Sequence, residues 1–188
     1  KWTDGRAYSQ ARLLRESPGY ASLVRPDATP LTVVQSDLLD DDTVLLEYSL
    51  GAERSWLWAV SREGFRSVAL PGRAVIESAV RTLRDLYESR TPRPGESAAA
   101  ATRRIAAADA NVPAASDTLS RVLLDPIAAD LGGPWRGKRL AIVAGDSLEY
   151  IPFAALPLPG TRTPLVAHHE VVYLPSASAL RAVRQRQD

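Results

Sequence analysis

The tetrapeptide Gly145-Asp146-Ser147-Leu148 is the segment whose residue types most directly suggest chemistry. It follows the apolar run Arg139–Ala144, and a serine in a loop after a strand is one way to present a nucleophile. A serine hydroxyl is a poor nucleophile at neutral pH, so it needs a histidine base and donors for the oxyanion. The only histidines are adjacent, His168 and His169, and neither has an aspartate three residues before it. A serine hydrolase using Ser147 is therefore the least favoured of three functional hypotheses.

Composition limits the other kinds of site. The chain has no cysteine, which excludes disulfides, thiolate zinc sites and a cysteine nucleophile within these 188 residues. Two neighbouring histidines do not suit a multi-histidine metal site, and His168-His169-Glu170 is interpreted as the structural start of a strand. The run Asp40-Asp41-Asp42 predicts a solvated turn rather than a cation site. We therefore assign no catalytic, cofactor-binding or metal-binding residue and expect no cofactor.

The remaining composition is that of an ordinary globular domain. Hydrophobic residues make up 45% and charged residues 24% of the chain, with a net charge of +1. Such a balance favours neither nucleic acid nor a membrane as a partner. No run approaches the roughly 18 apolar residues of a membrane span, and the sequence shows no signal peptide. We expect a cytoplasmic protein, and the excess of arginine over lysine is typical of a GC-rich bacterium.

Three strand-like runs come first among the clear elements. Thr43–Leu50, Arg54–Arg62 and Phe65–Leu70 are separated by tight turns, which predicts an antiparallel meander. Alternation places Val44, Leu46, Tyr48 and Leu50 on one face of the first strand. In the second strand it places Trp56, Trp58 and Val60 together, and we expect these tryptophans to cover the core rather than form a recognition surface.

Helices and two further strands follow. Arg73–Ser89 has an apolar stripe at helical spacing and should pack on the meander. Residues 91–115 are predicted to be mobile, with a weak helix over Glu96–Ala110 that Pro113 separates from a buried helix over Asp117–Leu131. Pro126 should interrupt that second helix. Arg139–Ala144 and His169–Leu174 are then predicted to be neighbouring parallel strands. Shorter helices are expected at Asp4–Arg15, after Thr29-Pro30 and at Ala179–Asp188.

The order of these blocks resembles the CHAT domain, the caspase-like domain associated with tetratricopeptide-repeat proteins. The matching blocks begin with Pro18–Leu23, continue with the strands at Leu38–Gly51 and Arg54–Val60, and then reach Leu119–Pro126. The clearest is Arg139–Val143 with Leu148 and Ile151–Leu156, and the last is His169–Ser178. The resemblance implies an α/β fold with a partial caspase-like sheet, preceded by an antiparallel three-stranded meander packed on helices. The chain has Ala144-Gly145-Asp146 where the family usually has a Pro-Asp-Gly-like turn.

The resemblance also implies a cysteine peptidase family whose histidine and cysteine lie on strands beyond the block at Pro175–Ser178. We therefore expect residues 17–188 to be the N-terminal part of a CHAT domain, inactive alone, and residues 1–16 to be a helical extension that ends an upstream repeat region. The expected partners are the missing C-terminal half of the domain, upstream helical repeats, and a second copy through an exposed sheet edge. A non-enzymatic interaction or signalling module is the alternative hypothesis.

Overall fold

The structure is a computed structural model that describes residues 29–178. The helices expected at Asp4–Arg15 and Ala179–Asp188 and the entry segment Pro18–Leu23 lie outside the described residues. The proposed extension at 1–16 lies outside them as well, so the division of the chain at residue 17 stays a prediction.

A five-stranded mixed sheet forms the centre of the described chain. Its strands are β1 (Thr43–Ser49), β2 (Arg54–Ser61), β3 (Gly64–Pro71), β4 (Arg139–Ala144) and β5 (Val171–Tyr173). They lie in the order β3-β2-β1-β4-β5. The first three pair antiparallel, β4 is parallel to β1, and β5 is parallel to β4. The predicted meander and parallel pair are both confirmed, and they belong to a single sheet in a mixed α/β fold.

Helices connect the strands. Two long helices pack on one face of the sheet, and one short helix packs on the other. They are α1 (Leu31–Val33, continued by a wider turn over Val34–Leu38), α2 (Arg73–Glu88), α3 (Ala98–Leu124) and α4 (Ala128–Gly132). Short 3-10 segments at Asp146–Tyr150, Phe153–Ala155 and Leu165–Ala167 link β4 to β5. The interruption predicted at Pro126 is confirmed, since a 3-10 turn over Asp125–Ile127 separates α3 from α4.

The main core lies between α2, α3 and one side of the sheet, here called the helix-packed face. The alternation of β1 points Val44, Leu46 and Tyr48 into this core, as predicted. The apolar stripe of α2 packs on them through Ile76, Val80 and Leu83, and α3 contributes Leu119, Leu123 and Leu124. Burial of this continuous apolar set is what stabilises the sheet against the helices.

Residues 29–178 cover only part of the opposite side of the sheet, which is here called the open face. A second core cluster lies on it, in which Val34 and Leu38 of α1 pack on Leu45, Val60 and Ala141. The expectation that the tryptophans of β2 cover the core is wrong: Trp56 is 37% exposed and Trp58 is half-buried. The side chains of β2 that enter the main core are the smaller ones on the opposite face of the strand, Leu57 and Ala59.

The predicted break at Pro113 is also wrong, because α3 runs without interruption from Ala98 to Leu124. A proline inside a helix removes one backbone hydrogen bond and usually kinks or ends the helix. Here Pro113 is exposed, while the following turns bury Ala115 and Leu119 against α2 and the sheet. Tertiary packing of the C-terminal half of α3 therefore outweighs the local cost of the proline.

Arg104 makes one of the links between α2 and α3. The Arg104 guanidinium donates hydrogen bonds to both carboxylate oxygens of Glu96 and to the carbonyl oxygen of Ser89. This pairing lowers the pKa of Glu96 below its ordinary value. The link joins the end of α2 to the first turns of α3 across the Pro- and Gly-containing segment. The mobility expected for residues 91–115 stays a prediction.

Candidate functional site

The topology of the sheet indicates where a site would be placed. From β1 the chain continues to β2 and β3 on one side, and it returns to β4 on the other side. In open α/β sheets, ligands bind outside the carboxyl ends of parallel strands where the connections diverge in this way. The corresponding place in this chain is the carboxyl edge of β1 and β4, and the residues that follow those two strands are the candidates.

Arg73, the first residue of α2, ties this edge together. Its Nη2 donates a hydrogen bond to the carbonyl oxygen of Leu50, 2.7 Å away, just after β1. Its Nη1 lies 2.9 Å from Oδ2 of Asp146, just after β4, and 3.5 Å from Oε1 of Glu77. One guanidinium thus joins the ends of two parallel strands and the start of a helix. Sequence analysis missed this link because no local pattern pairs residues 73 and 146.

Asp146 occupies the turn that directs the chain away from β4. Its φ angle is 56°, in the left-handed region that aspartate and asparagine tolerate better than most other residues. The turn predicted from Gly145-Asp146 is therefore confirmed, and a 3-10 segment starts at once. The sharp turn places the Asp146 carboxylate beside Arg73, although the carboxylate is still partly exposed to solvent.

Ser147 follows in the same 3-10 segment and has no base beside it. Its Oγ is buried and has no hydrogen-bond partner among the described residues. A nucleophilic serine is recognised by a histidine within hydrogen-bond reach of that oxygen. Ser147 lacks this contact.

Both histidines lie at the other end of the sheet. His169 precedes β5, is 2% exposed, and contacts the carbonyl oxygen of Lys138 through Nδ1 at 3.0 Å. A carbonyl only accepts hydrogen bonds, so Nδ1 carries the proton. Nε2 is buried without a partner among the described residues, and His168 is exposed.

The parallel register separates these histidines from Ser147. Leu140, near the start of β4, is opposite Val171, so residues 168 and 169 lie at the amino edge. Five steps along β4 at about 3.3 Å each put roughly 17 Å between the two edges. The structure therefore does not bring Ser147 and His169 together, and their separation is far beyond any proton-transfer distance.

A small aromatic stack supports the carboxyl edge from below. The Phe153 ring lies 5.3 Å from the Tyr48 ring of β1 and 6.4 Å from the Tyr173 ring of β5, measured between centroids. The Tyr48 hydroxyl donates to the carbonyl oxygen of Leu123 at 3.3 Å, and burial raises the pKa of this tyrosine. The Tyr173 hydroxyl donates to the carbonyl oxygen of Ile151. The segment after β4 is thereby packed against β1 and β5, the two strands that flank β4.

Beside this edge lies a shallow groove of about 480 Å³. It separates α2 from the 3-10 segment after β4. Its lining residues are Val80, Arg84, Tyr87, Glu88, Tyr150 and Ile151. Arg84 and Glu88 pair with each other at 2.6 Å, whereas Tyr150 is 73% exposed. The groove offers aromatic and aliphatic contacts but no unpaired charge of its own.

Two aspartates of the segment before β1 form ion pairs with arginines. Asp41 lies 3.1 Å from Arg62, and Asp40 lies 3.6 Å from Arg139. Residues 41–42 form the predicted turn and are exposed. Within residues 29–178, no group of three histidine or acidic side chains is placed to hold a metal ion. In the same range, no helix has both the length and the apolar character needed to cross a membrane.

Comparison with known proteins identifies the family of this region. Residues 113–188 match the family model described as the CHAT domain, whereas none of the curated proteins compared with the chain matches it. The match begins inside α3 and includes β4, the Ile151–Leu156 segment and β5. The blocks at Leu38–Gly51 and Arg54–Val60 precede the match, so their assignment to the family stays a prediction. Residues 113–188 of this chain therefore carry part of a CHAT domain.

Proposed function

We propose that residues 29–178 are the scaffold portion of a CHAT-domain protein, without a peptidase dyad of their own. The observation that carries the proposal is the placement of the candidate nucleophile and base. The 188 residues contain no cysteine. The two histidines lie at the amino edge of the sheet, roughly 17 Å from the carboxyl edge where a site is expected.

The role we propose for this scaffold is to present a prepared sheet edge. β5 is three residues long and pairs through one side with β4, and no strand pairs with its other side within residues 29–178. An unpaired edge of this kind accepts another strand through backbone hydrogen bonds. The resemblance to the family implies a histidine and a cysteine on such added strands, where the histidine would activate the thiolate and backbone amides would hold the oxyanion.

The proposal includes the partners expected from the sequence. They are the C-terminal half of the domain, which would pair along β5, helical repeats upstream of residue 17, and a second copy that would use the same edge. It also includes a bacterial origin, which the arginine-rich composition supports, and a cytoplasmic location. Pull-down of the 188-residue protein with a separately produced downstream segment of its own gene product tests the first of these partners.

Activity measurements test the inactive-scaffold proposal directly. The 188-residue protein is incubated with a library of quenched fluorescent peptides that covers all residue types before the scissile bond. We expect no cleavage above the buffer rate. Cleavage by the wild-type protein that is lost in the Ser147→Ala or the His169→Ala variant would assign the activity to this chain and overturn the proposal.

A fluorophosphonate probe tests the serine hydrolase hypothesis on the same sample. The expected result is that Ser147 is not labelled, because no base lies within reach of its Oγ. Labelling of the wild-type protein that is lost in the Ser147→Ala variant would establish that hypothesis in place of the scaffold.

A non-enzymatic interaction module is the second candidate function, and the exposed aromatic side chains favour it. Tyr150 beside the groove and Trp56 and Phe65 on the open face are large apolar groups in contact with solvent. Side chains of this type are enriched at the centres of protein interfaces. A downstream sequence without a histidine and a cysteine at strand ends would favour this module over a peptidase scaffold.

A further inference from the structure

A strip of the open face beside α1 is covered by no element of the part of the chain that the structure describes. We define the β2 strip as Arg54, Trp56 and Trp58, which alternate onto this face, together with Glu47 and Ser49 of the neighbouring strand β1. Glu47 is opposite Trp58 and Ser49 is opposite Trp56 in the strand pairing. Trp56, Arg54 and Ser49 are exposed, whereas Glu47 and Trp58 are half-buried. The strip is therefore an apolar centre with polar groups around it, which is the composition of an interface rather than of ordinary surface.

Glu47 is the anionic member of the strip and has no partner between residues 29 and 178. Its neighbours in the strand register are Trp58 on β2 and Val143 on β4. Burial raises the pKa of this carboxyl group above its ordinary value. It makes no hydrogen bond or ion pair with any residue of the described chain. A carboxylate that has lost part of its hydration without gaining a partner costs free energy, and a cation brought to it from outside would remove that cost.

Arg54 is the cationic member, at the other end of the strip. Its guanidinium carbon lies 5.9 Å from the centre of the Trp56 ring, and it forms no ion pair with the residues described by the structure. Trp56 lies midway between Arg54 and the level of Glu47. Four residues of strand at about 3.4 Å each separate the two charges by roughly 14 Å along the strand direction. The strip thus has one unpaired charge of each sign, placed on opposite sides of a tryptophan.

We propose that a second copy of this chain packs on the β2 strip, sheet face to sheet face, with Glu47 of each copy opposite Arg54 of the other. A two-fold axis that crosses the strands at the level of Trp56 would exchange the two ends of the strip. It would form both charge pairs at once and place the tryptophans of the two copies in the centre. Such a self-complementary patch is what a two-fold symmetric interface requires.

The rest of the fold is compatible with this arrangement. Sheets that stack face to face lie about 10 Å apart, and the side chains of the two inner faces interdigitate between them. α1 covers Leu45 and Val60, two residues beyond Glu47 and Trp58 on the side away from Arg54. The two-fold axis therefore places α1 of each copy beyond the end of the other copy's β2, where it does not obstruct the contact.

Charge complementarity is what distinguishes a second copy from other occupants of this face. A helix from an unrelated protein would need only a cation for Glu47, and Arg54 would play no defined part. In the proposed dimer, by contrast, both charges have a defined role, because each Glu47 pairs with the Arg54 of the other copy. It also differs from association through the β5 edge, which lies on the far side of β4 from the strip.

Sedimentation velocity of the full 188-residue protein at increasing concentration tests the proposal. We expect a monomer–dimer equilibrium. Glu47→Arg and Arg54→Glu should each raise the dissociation constant by at least about tenfold, because each replaces two attractive contacts with two repulsive ones. The double variant Glu47→Arg/Arg54→Glu should return the constant to within a few-fold of the wild-type value, because it restores both pairs with the signs exchanged.

Matched charge changes away from the strip serve as controls. Glu63→Arg in the exposed turn between β2 and β3, and Arg81→Glu on the exposed side of α2, change the net charge equally and should leave the equilibrium unchanged. Far-UV circular dichroism checks that every variant is folded. If Glu47→Arg does not fold, Glu47→Gln together with Arg54→Gln provides the same comparison without repulsion, with smaller shifts expected.

Three results would overturn the proposal: a monomer at all accessible concentrations, a dimer that neither single reversal weakens, or a double variant that stays as weak as the single variants. None of these results bears on the peptidase assay, so the dimer and the inactive scaffold fail independently.

Discussion

Replacement of Phe153 tests whether the aromatic stack holds the segment after β4 against the sheet. The side chain is fully buried and contacts Tyr48 and Tyr173. Truncation of a buried phenylalanine to alanine typically costs about 3–5 kcal/mol through lost transfer free energy and a residual cavity. Each aromatic pair contributes about 0.5–1.5 kcal/mol beyond burial. We therefore expect Phe153→Ala to lower the free energy of unfolding by about 4 kcal/mol and Phe153→Leu, which keeps most of the volume, by about 1–2 kcal/mol.

Urea unfolding followed by far-UV circular dichroism measures both values. The chain has two phenylalanines, which provides an internal control. Phe65 is 48% exposed, so Phe65→Ala should change the unfolding free energy by no more than about 0.5 kcal/mol. If Phe153→Ala cost less than about 1 kcal/mol, or no more than Phe65→Ala, then Phe153 would not be enclosed between β1 and β5 and the packing described for this edge would be refuted.

Three further substitutions test separate features of the structure. Pro113→Ala should raise the urea midpoint and stabilise the protein by about 1–2 kcal/mol, because alanine can donate the helical hydrogen bond to Asp109 that proline cannot; no gain would indicate that α3 is broken there. Ser147→Ala should leave the unfolding free energy unchanged or raise it by up to about 1 kcal/mol, since the buried hydroxyl has no partner; a clear loss in the same urea titration would reveal a hydrogen bond to that oxygen. The folded-state pKa of Glu47 is raised, so its contribution to stability is present below 4.5, the ordinary pKa of glutamate, and is lost as the pH rises through the folded value. Glu47→Gln should therefore melt at a higher temperature than the wild-type protein at pH 7, measured at low protein concentration, and the difference should disappear below pH 4.5; an equal or lower melting temperature at pH 7 would contradict the burial of this carboxylate.

Local sequence patterns were sufficient to predict most elements of the described fold. Period-two alternation located β1 and β2 within one residue of their observed ends, and the apolar stripe of Arg73–Ser89 predicted α2 equally well. The continuous apolar run Arg139–Ala144 predicted a strand of a parallel sheet, as observed. These features depend on residues that are close together in the chain, so they can be predicted from the local sequence pattern.

The errors arose where a distant element decides the outcome. Alternation shows that Trp56 and Trp58 share a face, but only the position of α2 determines that the core lies on the side of Leu57. Indoles that recur at period two usually cover a core, and this is why the sequence predicts a core position for both tryptophans. Similarly, a proline predicts a break from local geometry alone, whereas the burial of Leu119 depends on helices and strands that lie elsewhere in the chain.

The candidate site shows the same limit. Gly145-Asp146 predicted a turn, and the turn is present with Asp146 in the left-handed region. That Arg73 would reach this aspartate could not be predicted, because the contact requires β1 and β4 to be neighbours and α2 to begin at their carboxyl ends. The histidines could be excluded as bases for Ser147 only once the parallel register placed them at the opposite edge.

The links at the carboxyl edge bear on what a scaffold can contribute to catalysis. A catalytic pair functions only when its supporting elements hold it to within about 0.5 Å, and strands provide such positions better than free loops do. Arg73 fixes the ends of β1 and β4 relative to each other, and Phe153 packs β1 against β5. If a further strand pairs with β5 as proposed, β5 sets its register. β5 is itself held in place by its pairing with β4 and by the packing of Phe153. The described residues would then determine the geometry of a dyad to which they contribute no side chain.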